Sequence, residues 1–161
     1  MGSGVDAWLL INVARALLDA DRPADARALL DRAQDLVDDD VEVYRTRGFA
    51  NAILGVYTAA NSDLERAARS GTDSWLTALR AEVLRVSGHP DDALALFAEL
   101  DPADELRWVA ASRAAAMAAL GDVDGALAAY AEALRRDPRD VNSLCGLGEL
   151  ELDRHRPGSG R

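Results

Sequence analysis

The sequence predicts an all-α protein made of stacked helix-turn-helix hairpins, and three observations carry that reading. The first is a pattern of small and bulky residues at fixed offsets. Its clearest copy runs from Gly121 to Pro138: Gly121 stops one helix, Asp122 opens the next, Ala126 and Ala133 flank Tyr130, and Pro138 closes the segment. The same spacing returns at Gly88, Ala93 and Phe97, at Gly55, Ala60 and Leu64, and at Asp21, Ala26 and Leu30, with offsets of five and four residues each time. The second observation is helical apolar periodicity between those breaks. The third is composition: 49% of residues are hydrophobic but only 5% aromatic, so small residues fill much of the interior and helices must approach closely.

Bulk properties narrow the class of work. A chain of 161 residues is long enough to bury a core without staples. The net charge is −10 and all 18 basic residues are arginine, so phosphate backbones and anionic lipid are poor partners; neither nucleic acid nor a membrane surface is expected. Arginine without lysine, together with abundant alanine, points to GC-rich coding and a bacterial origin. Cys145 is the single cysteine, which precludes an intrachain disulfide and suits a reducing compartment. With no spanning apolar run and no basic patch ahead of a hydrophobic stretch, the expected setting is cytoplasmic.

Residues 1–5 read as a flexible linker and 157–161 as a flexible tail, both with Gly-Ser-Gly composition; they mark either a segment cut from a longer chain or natural tails. The periodic array fills 6–156. Asp6 is the expected N-cap of a helix carrying Trp8, Leu10, Ile11, Ala14, Leu17 and Leu18; Asp21-Arg22-Pro23 breaks it before a helix with Ala26, Leu30 and Ala33. Asp40 caps a helix with Val43, Tyr44, Gly48 and Phe49, followed after Gly55 by Tyr57, Ala60, Leu64 and Ala67. Asp73 caps the next, with Trp75, Leu76, Ala81 and Leu84; Gly88-His89-Pro90 is the turn before Ala93, Leu96, Phe97 and Leu100. The boundary ahead of Trp108 is the least defined. Asp140 caps a last helix with Leu144, Leu147, Gly148, Leu150 and Leu152.

Units that start at Ala7, Val41, Ser74, Arg107 and Val141 are 34, 33, 33 and 34 residues apart. With that period the chain resembles the tetratricopeptide repeat family, in units 7–40, 41–73, 74–106 and 107–140 plus a half unit 141–156. The family's small eighth position is Ala14, Gly48, Ala81, Ala114 and Gly148; its small twentieth is Ala26, Ala60, Ala93 and Ala126. Its bulky twenty-fourth is Leu30, Leu64, Phe97 and Tyr130, and its twenty-seventh Ala33, Ala67, Leu100 and Ala133. Departures are the aromatic fourth position, kept only as Tyr44, and Asn51, which stands where a large apolar residue is usual and needs a hydrogen-bond partner.

The resemblance implies a right-handed superhelical solenoid whose concave face, lined by the first helix of each unit, takes a peptide or helix from a partner protein. Positions two, five, nine and twelve line that groove by resemblance. They give Trp8, Ile11, Arg15, Arg45, Phe49, Trp75, Glu82, Arg85 and Trp108 as the groove, with the arginines expected to meet partner carboxylates and the aromatics apolar side chains. Against this stands the simpler assignment of a tryptophan at that position to the junction between hairpins. The carboxylate clamp of chaperone-binding members is missing, since Ile11, Arg15 and Thr46 occupy its places.

No catalysis, metal or cofactor is expected. The histidines are His89 and His155, both in turns, and Cys145 lies on the last helix, exposed at its end or an incidental small buried residue. Asp38-Asp39-Asp40 lacks the glycine and spaced glutamate of a calcium loop. Two other roles use the same surface: self-association, as a homodimer through the half repeat or the groove, and regulation of a neighbouring domain in a longer parent chain.

Overall fold

A computed structural model describes residues 3–101 and 106–155. Those residues form nine α-helices and no strand: α1 Ser3–Asp19, α2 Pro23–Gln34, α3 Val41–Ile53, α4 Tyr57–Ala68, α5 Ser74–Val86, α6 Pro90–Ala98, α7 Val109–Ala119, α8 Val123–Arg136 and α9 Val141–Arg154. Expectations for the 157–161 tail and for residues 1 and 2 lie outside the described residues. The helix starts at Ser3, so residues 3–5 belong to α1 instead of a linker, and Asp6 sits inside the first turn instead of capping it.

Capping follows the aspartates elsewhere. The Asp40 carboxylate accepts from the Glu42 amide at 2.8 Å, Asp73 from Leu76 at 2.8 Å, Asp122 from Gly125 at 3.0 Å and Asp140 from Ser143 at 3.0 Å. At α2 and α6 the start is set by Pro23 and Pro90, whose missing N–H is one the helix could not have paired anyway. Trp108 precedes α7 in helical conformation and gives no side-chain cap.

The chain divides into two compact units, Met1–Val83 and Leu84–Arg161. In the first, α1 and α2 form one hairpin and α3 and α4 a second, and α2 packs on α3. One core joins Ile11, Ala14, Ala26, Leu30, Ala33 and Val43. A second joins Tyr44, Ala60, Leu64, Ala67, Leu76, Leu79 and Val83. In the other unit, α7 pairs with α8 and α8 packs on α9, over Ala111, Ala114, Ala126 and Tyr130. Every described eighth, twentieth and twenty-fourth position of the four complete units is buried. The steric reason is direct at Gly48, where a Cβ would stand 2.6 Å from Leu64 Cδ2. Gly148, the eighth position of the half unit, is exposed.

Asn51 has its partner. Its side chain is buried and the amide donates to Asp63 Oδ2 at 3.2 Å. Asp63 is itself buried and takes a two-pronged bond from Arg47, Nε at 2.9 Å and Nη2 at 2.8 Å. Arg47 Nη1 also reaches Asp31 on α2 at 3.1 Å, so one guanidinium ties α2, α3 and α4 together. The Asp63 hydrogen bond, acting against burial, raises the Arg47 pKa above its ordinary value.

Candidate functional site

Within the first unit the first helices of successive hairpins supply the walls of one open cleft of about 350 Å3. Arg15, Leu18 and Asp19 come from α1, Arg45, Thr46 and Phe49 from α3, and Trp75 from the first turn of α5. Four sequence-assigned groove residues, Arg15, Arg45, Phe49 and Trp75, therefore share one surface.

The aromatic floor is a pair. The Phe49 and Trp75 rings meet edge to face, centroids 5.5 Å apart at 75°. The Arg45 guanidinium lies 4.8 Å from the centroid of the Trp75 ring, and its Nη2 pairs with Asp73 Oδ2 at 2.6 Å. Asp73 is thus shared: Oδ1 caps α5 while Oδ2 holds the arginine over the indole. Partial burial pushes the Asp73 carboxyl up, but the Leu76 amide and Arg45 outweigh it and hold its pKa below the ordinary 3.8. Arg15 is likewise tethered, by a salt bridge to Glu42. A guanidinium carries five donors and one carboxylate occupies at most two, so both arginines keep donor capacity while held in place.

The remaining groove assignments fall elsewhere. Ile11 is 5% exposed and belongs to the first core, which corrects its groove assignment; Ala78 and Ala111, at the same fifth position, are buried too. In the four complete units the apolar side chains there vanish into the packing of neighbouring helices, and only Arg45 emerges. Trp8 is 64% exposed and does not line the cleft. Glu82 and Arg85 are partly buried on α5, each engaged with other groups. Trp108 is partly buried ahead of α7 in the second unit. Trp75 itself also packs against the second core, so it serves both the cleft and the junction that was the competing assignment.

The sequence missed Asp73 as an orienting group. The signal was available: a capping aspartate uses one oxygen, leaving the other for a cation one unit earlier. Cys145 is exposed, not buried. Among the described residues no cluster of three or more His, Cys, Asp or Glu side chains is placed to hold a metal ion, and no helix is long and apolar enough to cross a membrane.

Hairpins of about 34 residues stacked through small residues define an all-α repeat solenoid. A family model for the tetratricopeptide repeat matches residues 7–32 and 74–99. Those segments are tetratricopeptide repeats, and the chain's fold is the one that tetratricopeptide-repeat structures share. A structure described as "YrrB: a TPR protein with an unusual peptide-binding site" is 24% identical, with TM-score 0.71, over 92% of this chain and 78% of that one. MamA from Desulfovibrio magneticus RS-1 is 19% identical, with TM-score 0.78, over 92% and 85%. A tetratricopeptide repeat protein from Parabacteroides merdae is 14% identical, with TM-score 0.76, over 91% and 58%. No curated protein matches the sequence. The fold is one that generally serves as a scaffold for protein interactions, with protein or peptide partners.

Proposed function

We propose that the protein is a non-catalytic interaction scaffold that binds a peptide or helical segment of a partner protein in the cleft between α1, α3 and α5. The observation that carries this reading is the convergence of Arg15, Arg45, Phe49 and Trp75 around one concave surface. A partly exposed aromatic pair gains free energy when an apolar side chain covers it, and aromatic and arginine residues are the usual anchors of interfaces. The two tethered arginines are preorganised, so a ligand carboxylate meets them without the cost of ordering long side chains. The segment that fits is therefore one with a carboxylate next to one or two bulky apolar side chains.

Selection from a displayed random-peptide library tests this. Wild-type protein should enrich acidic sequences with adjacent aromatic or aliphatic residues, and Arg45→Glu and Phe49→Ala should each weaken capture of the enriched peptides by tenfold or more while the helical circular dichroism persists. Enrichment that is indifferent to both substitutions would remove the cleft as the binding site. Trp75→Ala is the stricter case: a large loss of thermal stability without a specific loss of capture would assign the indole to the hairpin junction alone.

A further inference from the structure

A second large cavity lies in the other compact unit, and the repeat register explains it. At the fourth and twenty-seventh positions, three of the four complete repeats carry a bulky residue at one of the two: Leu10 with Ala33, Tyr44 with Ala67, and Thr77 with Leu100. Leu10 and Ala33 share the first core, Tyr44 and Ala67 share the second, and Thr77 and Leu100 are both buried. The fourth repeat has an alanine at each position, Ala110 and Ala133. Ala133 is buried, Ala110 is only partly so, and a cavity of about 380 Å3 opens against them. Its apolar lining is Leu106, Ala110 and Ala133, and its polar lining Arg107, Arg136, Asp137 and Asp140.

The second repeat shows what this space holds when it is filled. Its fourth residue is Tyr44, 3% exposed, and the gap left beside the ring is about 80 Å3, lined by Val41 and Ser70 where the fourth repeat has Arg107 and Arg136. The Arg66 guanidinium lies 4.4 Å from the centroid of the Tyr44 ring and is held by Asp39 at 2.9 Å; Arg47 lies 5.8 Å from the same centroid. A buried phenyl ring under carboxylate-held guanidiniums is therefore the native filling. The fourth repeat keeps the surroundings and lacks the ring. Arg107 Nη2 pairs with Asp137 Oδ2 at 2.7 Å and Arg136 Nε with Glu132 Oε1 at 3.2 Å, so guanidiniums are again fixed by carboxylates, beside alanine methyls.

We infer that this cavity receives one uncharged aromatic side chain of a partner protein, in the place that Tyr44 takes in the second repeat. Three properties of the lining select that occupant. The alanine methyls and Leu106 give the flat faces of a ring apolar contact. The guanidiniums of Arg107 and Arg136 give the ring a cation–π partner that an aliphatic side chain of equal volume could not use. Two arginines and two aspartates line the space, so their charges cancel, and a charged group would lose its hydration on entering without a net countercharge to meet. The volume is that of an ordinary small-ligand pocket, which a single side chain can enter from the open side. This inference is independent of the cleft between α1, α3 and α5: its residues all lie in the other compact unit, and it asks for a ring without a carboxylate.

Titration of the isotopically labelled whole chain with p-cresol and with N-acetyl-tyrosinamide, followed through the amide resonances, tests it. Both probes should give saturable shifts centred on Arg107, Ala110, Ala133, Arg136 and Asp137, with a dissociation constant on the order of 1 mM, the strength of one ring without its neighbours. N-acetyl-leucinamide should bind severalfold more weakly. Ala110→Tyr supplies the ring from the chain itself, and should raise the melting temperature and weaken both aromatic probes tenfold or more. Ala110→Leu is the smaller filling, and should weaken them too while the helical circular dichroism persists. The absence of saturable shifts at those residues well above the expected constant, or unchanged binding in the folded variants, would overturn the proposal. Equal binding of N-acetyl-leucinamide would overturn the choice of an aromatic occupant. Binding of p-cresol without N-acetyl-tyrosinamide would overturn the choice of a partner side chain, because it would leave room only for a free small molecule.

Discussion

Asp63 accepts two hydrogen bonds from Arg47 and one from Asn51, and its removal leaves Arg47 with Asp31 as its one carboxylate partner and the buried Asn51 amide without its acceptor. The Asp63 and Arg47 side chains are 9% and 18% exposed, so solvent does little to compensate. Asp63→Ala should destabilise the protein by about 3 kcal/mol, measured by urea denaturation, because breaking one partner of a buried pair costs more than the pair contributes. Arg47 and Asp63 had no visible role in the sequence, where each reads as an ordinary surface charge. The one hint was Asn51, a polar residue at an apolar position, which required a partner without naming it. Asp73 gives a pH signature. Asp73→Asn preserves capping and removes only the charge pair with Arg45. Because the folded pKa lies below 3.8, the wild type's advantage is fully present above that value and is lost as pH falls through the folded pKa. Melting temperatures of the two proteins should differ at pH 7, and the gap should start to close below pH 3.8 and vanish only below the folded pKa; a gap that persists there would show that Asp73 acts through something other than its charge.

At the scale of elements the hairpin turn is the feature best read from sequence. The fifteenth position of the units is Asp21, Gly55, Gly88 and Gly121, and each takes a positive φ, 56°, 73°, 89° and 83°. The turn demands the left-handed region, where glycine is at ease and a side chain is strained. Asp21 meets that demand at a cost, so Asp21→Gly should raise stability by up to about 1 kcal/mol, read as a higher melting temperature. A lower melting temperature would show that the Asp21 side chain supplies more than the strain removes. Helix starts were legible where an aspartate accepts an amide, and not at α1, where Asp6 looked like a cap and the helix runs back to Ser3. That miss has a physical origin: Ser3 and Gly4 carry no pattern, and nothing in the sequence forbids one more helical turn.

For the whole molecule, the period near 34 residues and the small eighth and twentieth positions determined the fold, because close helix crossing admits nothing larger. The candidate site was half legible. Register brought Arg15, Arg45, Phe49 and Trp75 to one surface, though Phe49 and Trp75 also pack on the second core, and it assigned Ile11 to that surface although Ile11 lies in the first core. Nor could register anticipate that Asp73 and Glu42 hold the two arginines in place. The central claim is that this preorganised cleft receives a partner segment. Titrating the isotopically labelled protein with a library-selected acidic-apolar peptide and following amide and indole resonances tests it most directly: the account predicts saturable shifts at Arg15, Leu18, Arg45, Thr46, Phe49 and the Trp75 indole, with α9 unaffected. Saturable shifts centred on other residues, with those of the cleft unmoved, would contradict it.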